Sequence, residues 1–577
     1  MITLRTVLAR VRLVLPAVLC LLAFAPGPEA LAAGPPAYKP VTAQRLLHAE
    51  SDSGWLMYRR AYNGQGYAPF TQITPKNVSH LKIAFTYKTG MKLGHEAAPI
   101  VNGRYMFITT PKDHVIALDA TTGKVLWKYQ RKLARGALKT VCCGFVNRGV
   151  ALYGDKVYLT TLDNHVVALK ATTGKVVWNT GLEKAGVGYA MTVAPLVVDG
   201  RVIVGESGGE FGARDFIAAL DAETGKLDWK RYTIPGPNQP GGDTWPKGDA
   251  YKHGGGPAWN TGTYDPASDT LYWGVGNPSP WLASKRPGKN LYTDSLLALN
   301  PHNGKIKWHY QYTPHDGWDY DGVNTPVLTD IPYHGKTVKA LLHADRNGWF
   351  YALERSNGKF LWAKPFVKTN TITRIKPDGT PVENDKLRPT VGKKSFVCPS
   401  PLGGKNWWPM SVDPKTGMAY VPTLHACATL EGKAIHYRRG MPYYGETGKF
   451  HHQPGTRDWG AVQAISIKTG KQVWVHHSKM PWNGGMLSTA SGLVFSGSLN
   501  GHFYAFDANT GKVLWKSPKL HSGIVGVPTT YEVDGHQYVA VYSGFGGVLG
   551  LFAHKMTSPN GKHQMPRGGE LYVFKLD

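Results

Sequence analysis

Ala117-Leu-Asp-Ala-Thr-Thr-Gly-Lys-Val-Leu-Trp127 joins an apolar run, a polar turn and a tryptophan. The glycine supplies the positive φ that a tight turn needs, and the runs on either side suit strands, so the phrase reads as a β-hairpin. It returns along the chain, each copy ending on a tryptophan: Trp178, Trp229, Trp308, Trp362, Trp474 and Trp515. A worn eighth copy ends at Phe85, which follows Ile83-Ala84 as the tryptophans follow their own apolar pairs. Repeats of this length built from several short strands predict an all-β fold, an eight-bladed propeller in which each tryptophan packs between successive sheets. The last strand, Gly569-Glu-Leu-Tyr-Val-Phe-Lys-Leu576, is expected to pair near the start of the folded chain and close the ring.

The spacing between copies is uneven. Trp229 to Trp308 and Trp362 to Trp474 exceed one blade, which predicts inserted loops around 231–260 and 428–460 in a single domain over 34–577. Loops at one end of a rigid repeat scaffold are where sites are built. His451 and His452 in the second insertion read as a solvated pair rather than as ligands, because neighbouring side chains seldom point the same way.

Residues 1–33 differ from the rest. Arg5, Arg10 and Arg12 precede an apolar run from Leu13 to Phe24, then Ala30-Leu-Ala-Ala33, the order of a secretory signal peptide. The run is short for a bilayer and broken by Pro16, so no membrane span is expected and the protein is placed in the periplasm. The formal charge is +27, and losing the leader removes three arginines and one glutamate, leaving a strongly basic protein. With no nucleic-acid-binding pattern, that field predicts an acidic protein partner rather than nucleic acid.

Cys20 lies in the leader, which leaves Cys142, Cys143, Cys398 and Cys427. Export permits disulfides, and Cys398–Cys427 reads as an ordinary bridge. Neighbouring Cα atoms about 3.8 Å apart are closer than the usual disulfide range, so chemistry alone disfavours Cys142–Cys143. The absence of Cys-x-x-Cys-His excludes a covalently held c-type haem.

Trp318-Asp319-Tyr-Asp321 carries the most informative chemistry. In an extended segment a spacing of two aims both carboxylates at one face, where they repel unless a cation or proton is shared. An Asp/Gly-rich run alone is more often a solvated turn. Other groups change that balance: Ser207-Gly208-Gly209-Glu210 and the amide of Gly276-Asn277-Pro278.

Taken in order, His95-Glu96-Ala-Ala-Pro99, Cys142-Cys143 with Val146-Asn-Arg148-Gly, Thr192-Val-Ala-Pro195, Ser207 to Glu210, Gly255-Gly-Pro-Ala-Trp259, Asn277, Asp319/Asp321 and Asp345-Arg346-Asn-Gly348 resemble the pyrroloquinoline-quinone (PQQ) alcohol dehydrogenases, the methanol- and ethanol-type quinoproteins. The similarity spans nearly the whole chain beyond the leader. Gly144 departs from it, standing where the family commonly has Asp.

The resemblance implies a vicinal Cys142–Cys143 disulfide over one face of PQQ and Trp259 stacked on the other. It implies cofactor contacts from Glu96, Arg148, Thr192, Ser207, Gly208, Gly209 and Arg346, and less specifically from Asn406 and Trp482. Glu210, Asn277 and Asp319 match the metal ligands, all hard oxygen donors. Asp321 matches the extra carboxylate of lanthanide-dependent members, with calcium as the alternative. Asp319 is then the expected general base and Arg346 its catalytic companion. The implied reaction is oxidation of a small primary alcohol, with a soluble acidic cytochrome c taking the electrons. The alternatives are a sugar- or polyol-oxidising relative and a non-catalytic propeller scaffold. A homodimer, and the choice among methanol, ethanol and longer alcohols, stay open; Asn290 to Leu299 leans toward the ethanol-type branch.

Overall fold

The computed structural model describes residues 36–552, 556 and 565–577. The leader expected over 1–33 lies outside them. The described chain is all-β apart from short helical turns such as Ala43–Leu47 and Gly547–Phe552.

Eight sheets of four or five strands hold the repeats. The first runs Ile100–Asn102, Tyr105–Thr110, His114–Asp119 and Val125–Tyr129, each strand pairing antiparallel with the next. Its strands are short, and the first three are buried on both faces, as suits a sheet packed between two others. Every repeat carries the same irregularity: the register slips just before the tryptophan, between Ala117 and Leu118 opposite Trp127, and again beside Trp178, Trp229, Trp308, Trp362, Trp474 and Trp515. Leu81–Lys88 slips in the same way between Ile83 and Phe85. Phe85 therefore occupies the tryptophan position of a repeat whose other marks are gone.

The tryptophan and the turn glycine meet across successive repeats. A Cβ on Gly225, Gly304, Gly358, Gly470 or Gly511 would lie 2.5–2.6 Å from the preceding repeat's indole. Gly123 lies under Phe85, and Gly174 under Trp127, in the same way. The indole N–H often donates to the next turn as well: Trp127 to Ala171 O at 2.8 Å, Trp229 to Pro301 O at 2.9 Å and Trp474 to Ala508 O at 3.0 Å. The turn glycine thus does two things: it takes the left-handed backbone and leaves room for the ring. Each ring buries an area worth at most about 4–6 kcal/mol.

Two strand pairings join the ends of the chain. Glu570–Leu576 lies antiparallel between Leu81–Lys88 and His536–Ser543. Tyr67–Ala68 adds a parallel edge to Leu487–Thr489. The segment between Trp362 and Trp474 holds more than loop: Lys394–Val397, Ala426–Gly432 and Glu446–His452 form a separate three-stranded sheet. His451 sits on it opposite Cys427, its ring 3.0 Å from the Thr429 hydroxyl, and His452 stacks on Trp459.

Candidate functional site

Asp319 has φ 62°, so Trp318-Asp319-Tyr-Asp321 is not the extended segment that the spacing argument assumes. The two carboxylates converge by another route. Arg346, from the loop before Trp349–Glu354, places Nη2 2.8 Å from Asp321 Oδ2 and Nη1 3.6 Å from Asp319 Oδ2. The same Nη1 donates to the Asp319 carbonyl at 3.0 Å, which fixes the left-handed turn. Asp321 Oδ1 accepts the backbone N–H of Asn277 at 2.8 Å, linking two loops 44 residues apart. Gly276 is required here, since a Cβ there would strike Asp321 Oδ1.

Asn277 is fully buried, and its Oδ1 has no partner. Gly209 approaches it, a Cβ there standing 3.7 Å from that oxygen. Next in that loop is Glu210, whose carboxylate lies within 4.8 Å of the sulfurs of Cys142 and Cys143. Those sulfurs are bonded to each other, so they offer no thiolate to a metal. Cys398 and Cys427 are bonded as well, with Cα atoms 4.4 Å apart. The backbone N–H of Tyr443, from the second insertion, donates to Glu210 O at 2.6 Å and anchors that insertion to the Glu210 loop.

The carboxylates disturb one another. Burial first, and the neighbouring Asp321 second, push Glu210 up to about 7. Burial raises Asp319 well above the carboxylate range; Arg346 opposes this, while Asp321 and Glu210 add to it. Asp321 is raised by burial too, against Arg346 and the Asn277 N–H. Three crowded carboxyls beside an unsatisfied amide oxygen form an all-oxygen set that a hard, highly charged cation would relieve.

A second group of residues surrounds Trp259. Its half-buried ring has the Arg148 guanidinium 4.6 Å and the Arg346 guanidinium 5.8 Å from its centroid. Arg148 pairs with Glu96 Oε2 at 2.8 Å and donates to Thr192 Oγ1 at 2.6 Å. Burial raises Glu96 to about 7 against the pull of Arg148. Nε of both arginines is buried without a partner. Ser207 Oγ donates to Ala190 O at 2.7 Å. Cationic donors with unspent N–H groups beside a flat indole suit a planar polycarboxylate such as PQQ.

Asn406 and Trp482 stand apart from these contacts. The Asn406 amide is used within its own loop, donating to Leu402 O and accepting from Trp407 N at 2.9 Å each. Trp482 packs on Tyr504 and Phe506, and its N–H donates to Ser496.

Several residues in the neighbourhood escape sequence reasoning. Trp407 holds the Arg148 guanidinium 4.7 Å from its ring. Lys405 is buried, and burial lowers it to about 7 despite Asp345. Asp215 and Asp294 are fully buried with both carboxylate oxygens unpartnered. The double Trp407-Trp408 is a visible signal for the first; nothing local marks the others.

Comparison with known proteins gives the family. The family model described as "PQQ: Glucose/ethanol/alcohol dehydrogenase, beta-propeller domain" matches residues 55–372 and 374–539. The chain is 40% identical to the quinoprotein alcohol dehydrogenase PedH of Pseudomonas putida, over 89% of each chain. It is 38% identical to the lanthanide-dependent methanol dehydrogenase of Methylacidiphilum fumariolicum, covering 92% of this chain and 94% of that one. Among solved structures, a europium-containing methanol dehydrogenase superposes with a TM-score of 0.88 at 38% identity, covering 92% of this chain and all of that one.

Proposed function

Because this chain belongs to the PQQ-dependent alcohol dehydrogenases, we propose that it is a periplasmic quinoprotein oxidising a primary alcohol to the aldehyde, with Asp319 as general base. The chain is an oxidoreductase of that family, so the scaffold alternative is set aside. In the proposed architecture the eight sheets close into one propeller domain over 34–577, docked tryptophan on glycine. The end-joining strand pairings support that closure.

The observation that carries the reading is convergence. Arg346 bridges Asp319 and Asp321, Asn277 bonds Asp321, and Glu210 lies against Cys142–Cys143. Glu210, Asn277, Asp319 and Asp321 would hold the cation. Cys142–Cys143 and Trp259 would flank PQQ, with Arg148, Thr192, Ser207, Gly208, Gly209 and Glu96 around its edge and Asn406 and Trp482 in more distant support. A lanthanide is favoured over calcium because Asp321 adds a carboxylate, and a trivalent ion offsets one more negative charge than a divalent ion. The two relatives whose names specify a lanthanide metal point the same way.

Bound PQQ would supply an electrophilic carbonyl as hydride acceptor, and a cation held by Glu210, Asn277, Asp319 and Asp321 would add Lewis acidity. Asp319 receives the hydroxyl proton at a carboxylate oxygen. A cation held beside it would keep it ionised and able to do so. Arg346 fixes the Asp319 backbone and holds Asp321, so both carboxylates keep their aim. The Tyr443 N–H bond to the Glu210 carbonyl holds that loop against the second insertion.

Electrons leave through an external acceptor, proposed as an acidic soluble cytochrome c matched to the strongly basic charge that remains without the leader. Acceptor-linked rates are expected to fall steeply with ionic strength. Among the described residues no helix is long and apolar enough to cross a membrane. The deciding experiment is dye-linked turnover of methanol, ethanol and a longer alcohol by PQQ-loaded protein, each with Ca2+ and with La3+. Turnover that is faster with La3+ supports the reading. Turnover with Ca2+ alone moves the metal assignment to calcium, and a sugar or polyol oxidised faster than any simple alcohol moves the substrate class.

A further inference from the structure

A cleft of about 360 Å³ opens where the loop after Phe360–Pro365 meets the ends of Met418–Leu424 and Gln472–Ser478. It is lined by His425, His477, Gln463, Gln453, Phe366 and Lys368 among others, none of them used in the reaction above. Three of its residues offer lone pairs. The Thr423 hydroxyl donates to Ala461 O at 3.1 Å, so it accepts from His425 Nε2, 3.3 Å away. That assignment leaves the Nδ1 lone pair of His425 bare. His425 is 6% exposed, and its Nδ1 has no partner.

Gln463 repeats the pattern. Its Nε2 donates to Phe366 O at 3.0 Å, so the buried Oε1 keeps its lone pairs unused. His477 places Nδ1 3.3 Å from Asp458 Oδ2, an arrangement that puts the proton on Nδ1 and leaves Nε2 as a donor of electrons. A carboxylate behind an imidazole is the usual orienting device of a metal-bound histidine.

We propose that His425, His477 and Gln463 form a second cation site, for a borderline transition metal such as Zn2+, Ni2+ or Cu2+, with Asp458 orienting His477. The two imidazoles suit such an ion and are poor ligands for a hard lanthanide or calcium, while the amide oxygen would complete the set. The two rings are 6.1 Å apart, against about 5 Å for two imidazoles on one tetrahedral zinc. His477 is 55% exposed on its side chain and free to close the gap by turning. Lys368 also lines the cleft, but it is exposed and can swing its ammonium into solvent. An ion here would tie the strand ends to the inserted segment that carries Asp458, a structural role away from the carboxylate cluster.

The test is calorimetric titration of the full chain with Zn2+ alone, in excess Ca2+ to fill the oxygen-donor site. The expected result is one equivalent bound by wild type, with a rise in melting temperature. His477→Ala, at an exposed position that leaves the fold intact, loses that equivalent, and Asp458→Asn weakens it by about 10–100-fold. His451→Ala/His452→Ala retains it. His425→Asn also loses it, provided its melting temperature without zinc matches wild type. Failure of wild type to bind Zn2+, Ni2+ or Cu2+ stoichiometrically, or survival of the binding in His477→Ala, overturns the proposal.

Discussion

The outer turns and the site loops are both rich in aspartate and glycine, yet they use these residues in opposite ways. In the turn after His114–Asp119, Asp119 Oδ1 accepts from the backbone and hydroxyl groups of Thr121 and Thr122, all within three residues. Asp507 does the same with Asn509 and Thr510. In the site, Asp321 is held by Asn277 and Arg346, which come from distant loops. A local motif satisfies its own charge and repeats. A site leaves charge unsatisfied until distant segments and a ligand arrive, and it occurs once.

The strongest way to break that contrast is Asp319→Asn. If the site carboxylate is functional rather than a turn former, turnover falls by about 10²–10⁴, while the absorbance of bound quinone persists. Full turnover in that variant returns Asp319 to the class of Asp119. Asp321→Ala comes next: Tb3+ affinity, read by sensitised luminescence, drops on the order of 10²-fold with the loss of a charged ligand. An unchanged Tb3+ affinity removes Asp321 from the ligand set.

A third measurement concerns burial of a polar group near the site. His95 is 1% exposed, and burial lowers its pKa to about 4 despite the Leu93 carbonyl that bonds it. The unfolded chain therefore binds the extra proton first. Stability from this group is intact above pH about 6.5 and declines as pH falls toward 4, by on the order of 3 kcal/mol. The pH slope of the urea midpoint across that window should shrink in His95→Gln; an unaltered slope rules His95 out as its source.

The smallest effect separates docking from turn conformation. Gly174 has φ 70° and underlies Trp127, whereas Gly417 has φ 66° and open space around it. Gly417→Ala is expected to cost about 1–2 kcal/mol for the left-handed backbone alone. Gly174→Ala adds about 1–3 kcal/mol for displacing the indole. Equal losses in denaturant melts would mean that the ring does not depend on that glycine.

The repeat was legible because each copy carries its strand period, its turn glycine and its tryptophan within about ten residues. Even the degraded copy at Phe85 kept its place beside the shared register slip. The proposed ligand set comes from resemblance, and the pairing of Asp319 with Asp321 partly from spacing, though their convergence depends on a left-handed turn rather than an extended strand. Trp407 beside Arg148 was not legible, and neither were the bare carboxylates of Asp215 and Asp294. Their neighbours are supplied by other repeats.

By itself the sequence determined the all-β repeat, the residue types gathered for a hard cation and a flat cofactor, and the family. Tertiary structure alone decided that Arg346 spans both aspartates, that Glu210 faces the cysteine pair, and that His425 and Gln463, each with a buried unpartnered polar atom, meet at one cleft. The reason is range. Turn and strand preferences act over a few residues, whereas the geometry of a site is set by side chains far apart in sequence, whose positions are fixed only when the sheets pack together.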